Sequence, residues 1–101
     1  MTIWEELDNI EINKEDFSFL EDILKDEKGN QTVSLMSPLN KYTFISGMNE
    51  LLINILNISK QLTVTCFQIN NESKKQAVKL ALEKFAKEKG YTLNFGKRLS
   101  L

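Results

Sequence analysis

Few side chains in this sequence suit covalent chemistry. The chain has no histidine and a single cysteine, Cys66. That composition excludes a Cys/His zinc site, a Ser-His-Asp triad, a Cys-His pair and an internal disulfide. Cys66 lies within the apolar, β-branched run LTVTCF. A thiol in such a run packs as a small hydrophobe, because reactivity needs an exposed, electropositive setting. Asp22 and Asp26 stand one helical turn apart and can approach a hard cation, but acidic pairs of this kind are usually solvated surface. The four glycines do not cluster, so there is no glycine-rich phosphate loop. The expectation is a non-enzymatic chain with no metal or cofactor.

What remains is charge and hydrogen bonding, and the charge is unevenly spread. Residues 1–30 carry ten acidic side chains against three lysines (−7), and residues 31–101 carry four against ten basic ones (+6), which together give the net −1. The sign changes at KGN, residues 28–30. Two explanations fit: an acidic appendage on a basic domain that engages a polyanion, or two halves that neutralise each other across an internal contact.

The length of 101 residues and 42% hydrophobic content suit one folded unit. The start, MTIWEELDNI, has no basic stretch followed by an apolar run, so no secretory signal is expected. The longest apolar run, residues 51–58, is interrupted by Asn54 and Asn57 and is far shorter than the ~20 residues of a membrane span. No membrane association and a cytoplasmic location are therefore expected.

The acidic segment, residues 1–30, predicts two short helices. Thr2 and Glu5 have capping-box spacing, with Ile3, Leu7 and Ile10 on one side. Asn13 caps a second helix whose apolar face is Phe17, Leu20, Ile23 and Leu24, and Gly29 ends it. Trp4, Phe17 and Phe19 are candidates for docking this segment on a protein partner. Further on, LTVTCFQIN predicts a strand. ESKKQAVKLALEKFAKEK predicts a helix with Ala77, Val78, Ala81, Leu82, Phe85 and Ala86 on one arc and lysines on the other. Asn71 or Ser73 caps it, Gly90 stops it, and YTLNF predicts a last strand.

The stretch TVSLMSPLNKYTFISG, residues 32–47, is either a hairpin turning at SPLN or a strand entering a helix at Ser37-Pro38. Serine before proline suits a helix start. Phe44, Met48, Leu51, Ile55 and Ile58 then recur at intervals of 4, 3, 4 and 3, running through Gly47. On that periodicity the helix over residues 38–59 is preferred, which makes residues 31–96 a βαβαβ unit.

At its joints this unit resembles the stage V sporulation protein S family, through VSLMSP, the helical Gly47 and QAVKLAL. That family belongs to the Alba-like group of small nucleic-acid-binding folds. The resemblance implies a two-layer α/β domain over residues 31–101 that contacts nucleic acid through the loops after its first two strands. It also marks two departures: no fourth strand follows the third, and the acidic first thirty residues have no counterpart.

Crossover geometry alone brings both helix N-termini to one sheet edge, where free N–H groups and the helix dipole attract phosphate. The residues placed there are Asn40, Lys41, Asn70, Asn71, Lys74 and Lys75, with Lys97 and Arg98 adding charge from the tail. Such binding to DNA or RNA would be salt-sensitive and weakly sequence-selective. A homodimer is also expected, since a helix over residues 38–59 is apolar around most of its girth. The alternative is a protein-binding adaptor or inhibitor that uses its acidic helices against a basic partner.

Overall fold

The structure is a computed structural model that describes residues 12–24, 33–36 and 40–96. The Asn13 N–H donates to the Asp16 carboxylate at 2.8 Å, and the Asp16 N–H returns to the Asn13 carbonyl at 3.0 Å. This closes a 3-10 turn, Lys14–Phe17, which runs directly into helix α1, Ser18–Leu24. Phe17, Leu20 and Leu24 are buried along one stripe, as the spacing predicts. The helix expected around Ile3, Leu7 and Ile10, and Trp4 with it, lies outside the described residues.

A mixed α/β layout follows: strands β1 (Val33–Met36), β2 (Lys41–Ser46), β3 (Asn49–Leu56) and β4 (Gln61–Gln68), helix α2 (Glu72–Lys89) and strand β5 (Thr92–Phe95). The five strands form one sheet in the order β1-β2-β3-β4-β5. The first four make an antiparallel meander, and β5 joins parallel to β4 after the α2 crossover.

Helix α2 matches its sequence signals. The Asn71 side chain accepts the Lys74 N–H at 3.0 Å. At the other end Gly90 sits at φ 75°, and the N–H groups of Gly90 and Tyr91 close on the carbonyls of Lys87 and Ala86. This paired closure requires a left-handed residue, which glycine supplies at least cost. Val78, Leu82, Phe85 and Ala86 are buried, and Leu80 points to solvent.

The helix expected over residues 38–59 is not formed: residues 40–59, the described part of that range, make the β2–β3 hairpin and the turn after it. β1 pairs antiparallel with β2, Met36 opposite Tyr42 and Val33 opposite Ile45, which is the strand pairing of the hairpin alternative. Asn40 takes φ 57°, a left-handed conformation that asparagine tolerates better than most residues. Gly47 is no helix-interior residue. It has φ 60° as the first of two turn residues, Gly47-Met48, between the paired Ser46 and Asn49. A left-handed residue at the first position alone is what a type II′ hairpin turn needs.

Burial shows why the helical spacing misled. Tyr42, Phe44, Leu51, Ile53 and Ile55 are buried at strand spacing, whereas Met48 and Ile58 of the expected helical stripe are 79% and 71% exposed in turns. Phe44, Leu51 and Ile55 belong to both the helical stripe and the buried strand face, so the two spacings agree at these three positions and differ in whether Tyr42 and Ile53 or Met48 and Ile58 join them.

The core lies on one side of the sheet, between Tyr42, Phe44, Leu51, Ile53, Ile55, Leu62, Val64 and Phe67 and the two helices. Ile12, Phe17, Leu20 and Leu24 belong to the same cluster. Residues 12–24 are therefore part of the domain and not an appendage to it. Phe17 is fully buried, with its ring 4.4 Å from Tyr42 and 5.2 Å from Phe85, so it is a core residue and not a partner contact. Phe19 is partly buried against Phe85 at 5.2 Å.

Two substitutions test this account by urea denaturation. Phe17→Ala should cost about 3–5 kcal/mol, the usual loss for truncating a buried aromatic. Gly47→Ala meets no atom within 4 Å and should cost about 1–2 kcal/mol through its left-handed backbone alone.

Candidate interaction surface

The anion-binding edge expected from the sequence divides in two. Lys41 opens β2 opposite Asn54, beside Asn40, whose carbonyl accepts the Ile55 N–H at 2.8 Å. Asn70 lies past the end of β4, and its N–H donates to the Asn49 side chain at 2.9 Å, next to the β2–β3 turn. From Asn54 to Asn49 is five residues of strand, roughly 17 Å at about 3.4 Å per residue. Asn40 and Lys41 are thus at the opposite end of the sheet from Asn70, Asn71, Lys74 and Lys75. No helix follows β1 to supply a second N-terminus, and the Asn71 side chain is engaged in capping α2. Lys97 and Arg98 fall outside the described residues.

Ser34 Oγ donates to a Glu21 carboxylate oxygen between β1 and α1. The Tyr42 hydroxyl is buried nearby without a hydrogen-bond partner among the described residues. Burial, and after it the negative field of Glu21, push its ionisation well above the ordinary phenol range, against a smaller opposing effect of Ser34. Cys66 is half-buried, and burial together with Glu50 raises its thiol, which favours the protonated form. It stands on the sheet face turned away from both described helices, whereas the sequence predicts a buried position. No group of three or more potential metal ligands occurs among the described residues.

Two surfaces remain. One is a groove of about 370 Å³ between α1 and α2, lined by Phe19, Ile23, Ala81 and Phe85, with Asp22, Lys84 and Glu88 around it. Its aromatic side chains already pack in the core network. The other is the sheet face turned away from both helices.

That face is ordered in cross-strand rows. Leu35, Thr43, Leu52 and Cys66 stand opposite one another in one row, and Val33, Ile45, Glu50 and Gln68 in the next. On the other side of the first row come Lys41, Asn54, Thr63 and Asn94. Strand alternation fixes these positions: residues next to a buried neighbour point the opposite way. An antiparallel sheet covered on one side ordinarily alternates apolar inward and polar outward. Here Leu35 is 59% exposed, Val33 46% and Ile45 41%, and half-buried Leu52 lies among them. They are contiguous, and it is contiguity, not single exposed apolar residues, that marks an interaction surface. The sequence signal for it was present in NELLINIL, which is apolar at both strand parities and so suits cover on both sides.

No protein-family model, curated protein or solved structure matches the chain. The crossover helix implied by the resemblance to the stage V sporulation protein S family is replaced by β2 and β3. Among the described residues no helix is long and apolar enough to cross a membrane.

Tyr42 gives a pH-dependent prediction. Its folded ionisation lies above the unfolded value of about 10. The unfolded chain therefore loses this proton first, and stability falls as pH rises past that value. Tyr42→Phe should be neutral or stabilising at pH 7, because it removes an unpartnered buried hydroxyl. Denaturation midpoints measured from about pH 8 to about pH 11 should fall less steeply in the variant than in the native chain.

Proposed function

We propose that this chain is a non-enzymatic protein-interaction module that engages its partner through the sheet face that neither described helix covers. The observation that carries this reading is the block of neighbouring apolar side chains, Val33, Leu35, Ile45 and Leu52, where a solvated sheet face would carry polar ones. The chain has no histidine, and Cys66 is held toward its protonated form, which fits binding better than catalysis.

A second reading is binding to the backbone of DNA or RNA. It rests on α2, which carries six lysines against three glutamates. Lys79, Lys84, Lys87 and Lys89 would give phosphate contacts of low specificity. The sheet face itself contributes little to that reading. Its described residues include no aromatic ring on which bases could stack.

A photo-crosslinking amino acid placed singly at Leu35, Ile45 and Leu80 separates these readings in the cells that produce the chain. Protein adducts from positions 35 and 45, and none from position 80, are expected. Adducts from position 80 alone would refute the sheet-face reading. Fluorescence anisotropy with DNA and RNA oligonucleotides at about 50 and about 200 mM salt tests the second reading, which requires binding that weakens sharply with salt.

A further inference from the structure

We infer that the partner of this face is a second copy of the same chain, stacked sheet on sheet with the strands of the two copies running in opposite directions. The inference rests on the reading of the face as a protein interface and adds the identity and orientation of the partner.

Among the described residues of the face, Lys41 and Glu50 are the charged ones, and they lie in the two rows flanking the central row of Leu35, Thr43, Leu52 and Cys66. A symmetric dimer needs a surface complementary to itself. Consider a two-fold axis that runs across the strands through the central row. It lays that row on its own copy and each flanking row on the opposite flanking row of the partner. Lys41 then lies over the row that holds the partner's Glu50, one strand spacing aside, and symmetry repeats the pair. Stacked sheets lie about 10 Å apart, within the combined reach of a lysine and a glutamate side chain. An axis along the strands would set each row on itself and bring Lys41 toward Lys41, which costs binding energy. The charge pattern therefore selects the antiparallel stack.

The rest of the face suits the same arrangement. The central row is apolar or weakly polar, so its self-contact leaves no charge buried. The outward positions of the five strands, including a further row of Leu56, Gln61 and Thr92, lie about 4.8 Å apart across the strands and about 7 Å apart along them, and make a face of roughly 500 Å² per copy, the size of a weak, reversible interface. The dimer should accordingly be reversible, with Kd on the order of micromolar. Lys41 pairs within its own sheet with Asn54 and not with Glu50. Exchanging the two charges therefore tests contact between copies and not contact within one.

Sedimentation velocity of the full chain from about 1 to about 500 µM is the test. The native chain should pass from monomer to dimer across this range. Lys41→Glu and Glu50→Lys should each weaken the dimer about tenfold, since each change acts twice per interface. The double variant Lys41→Glu/Glu50→Lys should return to within about twofold of native. Leu35→Lys should abolish association and Leu80→Lys should leave it unchanged, with circular dichroism confirming that each variant folds. If Leu35→Lys does not fold, the three charge variants still decide.

A chain that stays monomeric throughout, or a double variant no better than the single ones, overturns the proposal. A monomer whose position 35 and 45 probes still crosslink to a different protein overturns self-association and leaves the interface reading intact. Adducts formed only within one chain overturn both.

Discussion

The placement of the Phe17 ring is the constraint on which the rest of the structure depends. It stacks on Tyr42 from the sheet at 4.4 Å and meets Phe85 of α2 at 5.2 Å, so one side chain joins strand, short helix and long helix. A seven-residue helix such as α1 has little stability of its own. It persists because Phe17, Leu20 and Leu24 are fully buried against the sheet side that α2 also covers. Aromatic pairs in such geometry add about 0.5–1.5 kcal/mol each beyond the area they bury. The fit has a penalty, since burying the Tyr42 ring leaves its hydroxyl without a hydrogen-bond partner among the described residues.

From that packing follows the one-sided layering. The crossover through α2 returns the chain to pair β5 parallel with β4, and α1 packs on the same side through Phe17, Leu20 and Leu24. Both described helices are thereby committed to one face of the sheet. The opposite face keeps Val33, Leu35, Ile45 and Leu52, which strand alternation forces outward once Ser34, Phe44, Leu51 and Ile53 are directed inward. The exposed apolar rows thus follow from the register that builds the core, and a shift of one residue would exchange the two faces.

Legibility in the sequence depended on whether local chemistry admitted one solution. Residues 71–90 were legible because Asn71, the arc from Ala77 to Ala86 and Gly90 agree on one helix, and tertiary structure did not contest it. The turn at Asn13 and the apolar stripe of α1 were legible for the same reason. Residues 38–59 admitted two solutions. Phe44, Leu51 and Ile55 fit helical spacing as well as strand spacing, and Gly47 could be taken as a tolerated interior glycine. The decisive facts were non-local: the pairing of β1 with β2, and the left-handed Gly47 that turns β2 into β3. Asn70, Asn71, Lys74 and Lys75 do stand together at the start of α2. The other half of the expected anion site moved to the far end of the sheet when the first helix became a hairpin. The apolar face was missed because it exists only once strands are set side by side.

The opposed charges of the two halves of the chain also acquire a structural meaning. Asp16 of the 3-10 turn approaches Lys89 of α2 at 3.9 Å, and Asp22 of α1 shares a groove with Lys84. Among the described residues, acidic and basic side chains thus meet on the helical side of the sheet, a contact of the kind the internal explanation invokes. Exposed pairs of this kind contribute at most about 1 kcal/mol each, so their importance is less for stability than for where charge is placed. With lysines and carboxylates concentrated on the helices, the open sheet face holds Lys41 and Glu50 as its described charges around an aliphatic centre. A face of that kind gains little from a strongly charged partner and most from a nearly neutral, aliphatic one, and its two opposite charges discriminate between orientations rather than between signs of net charge.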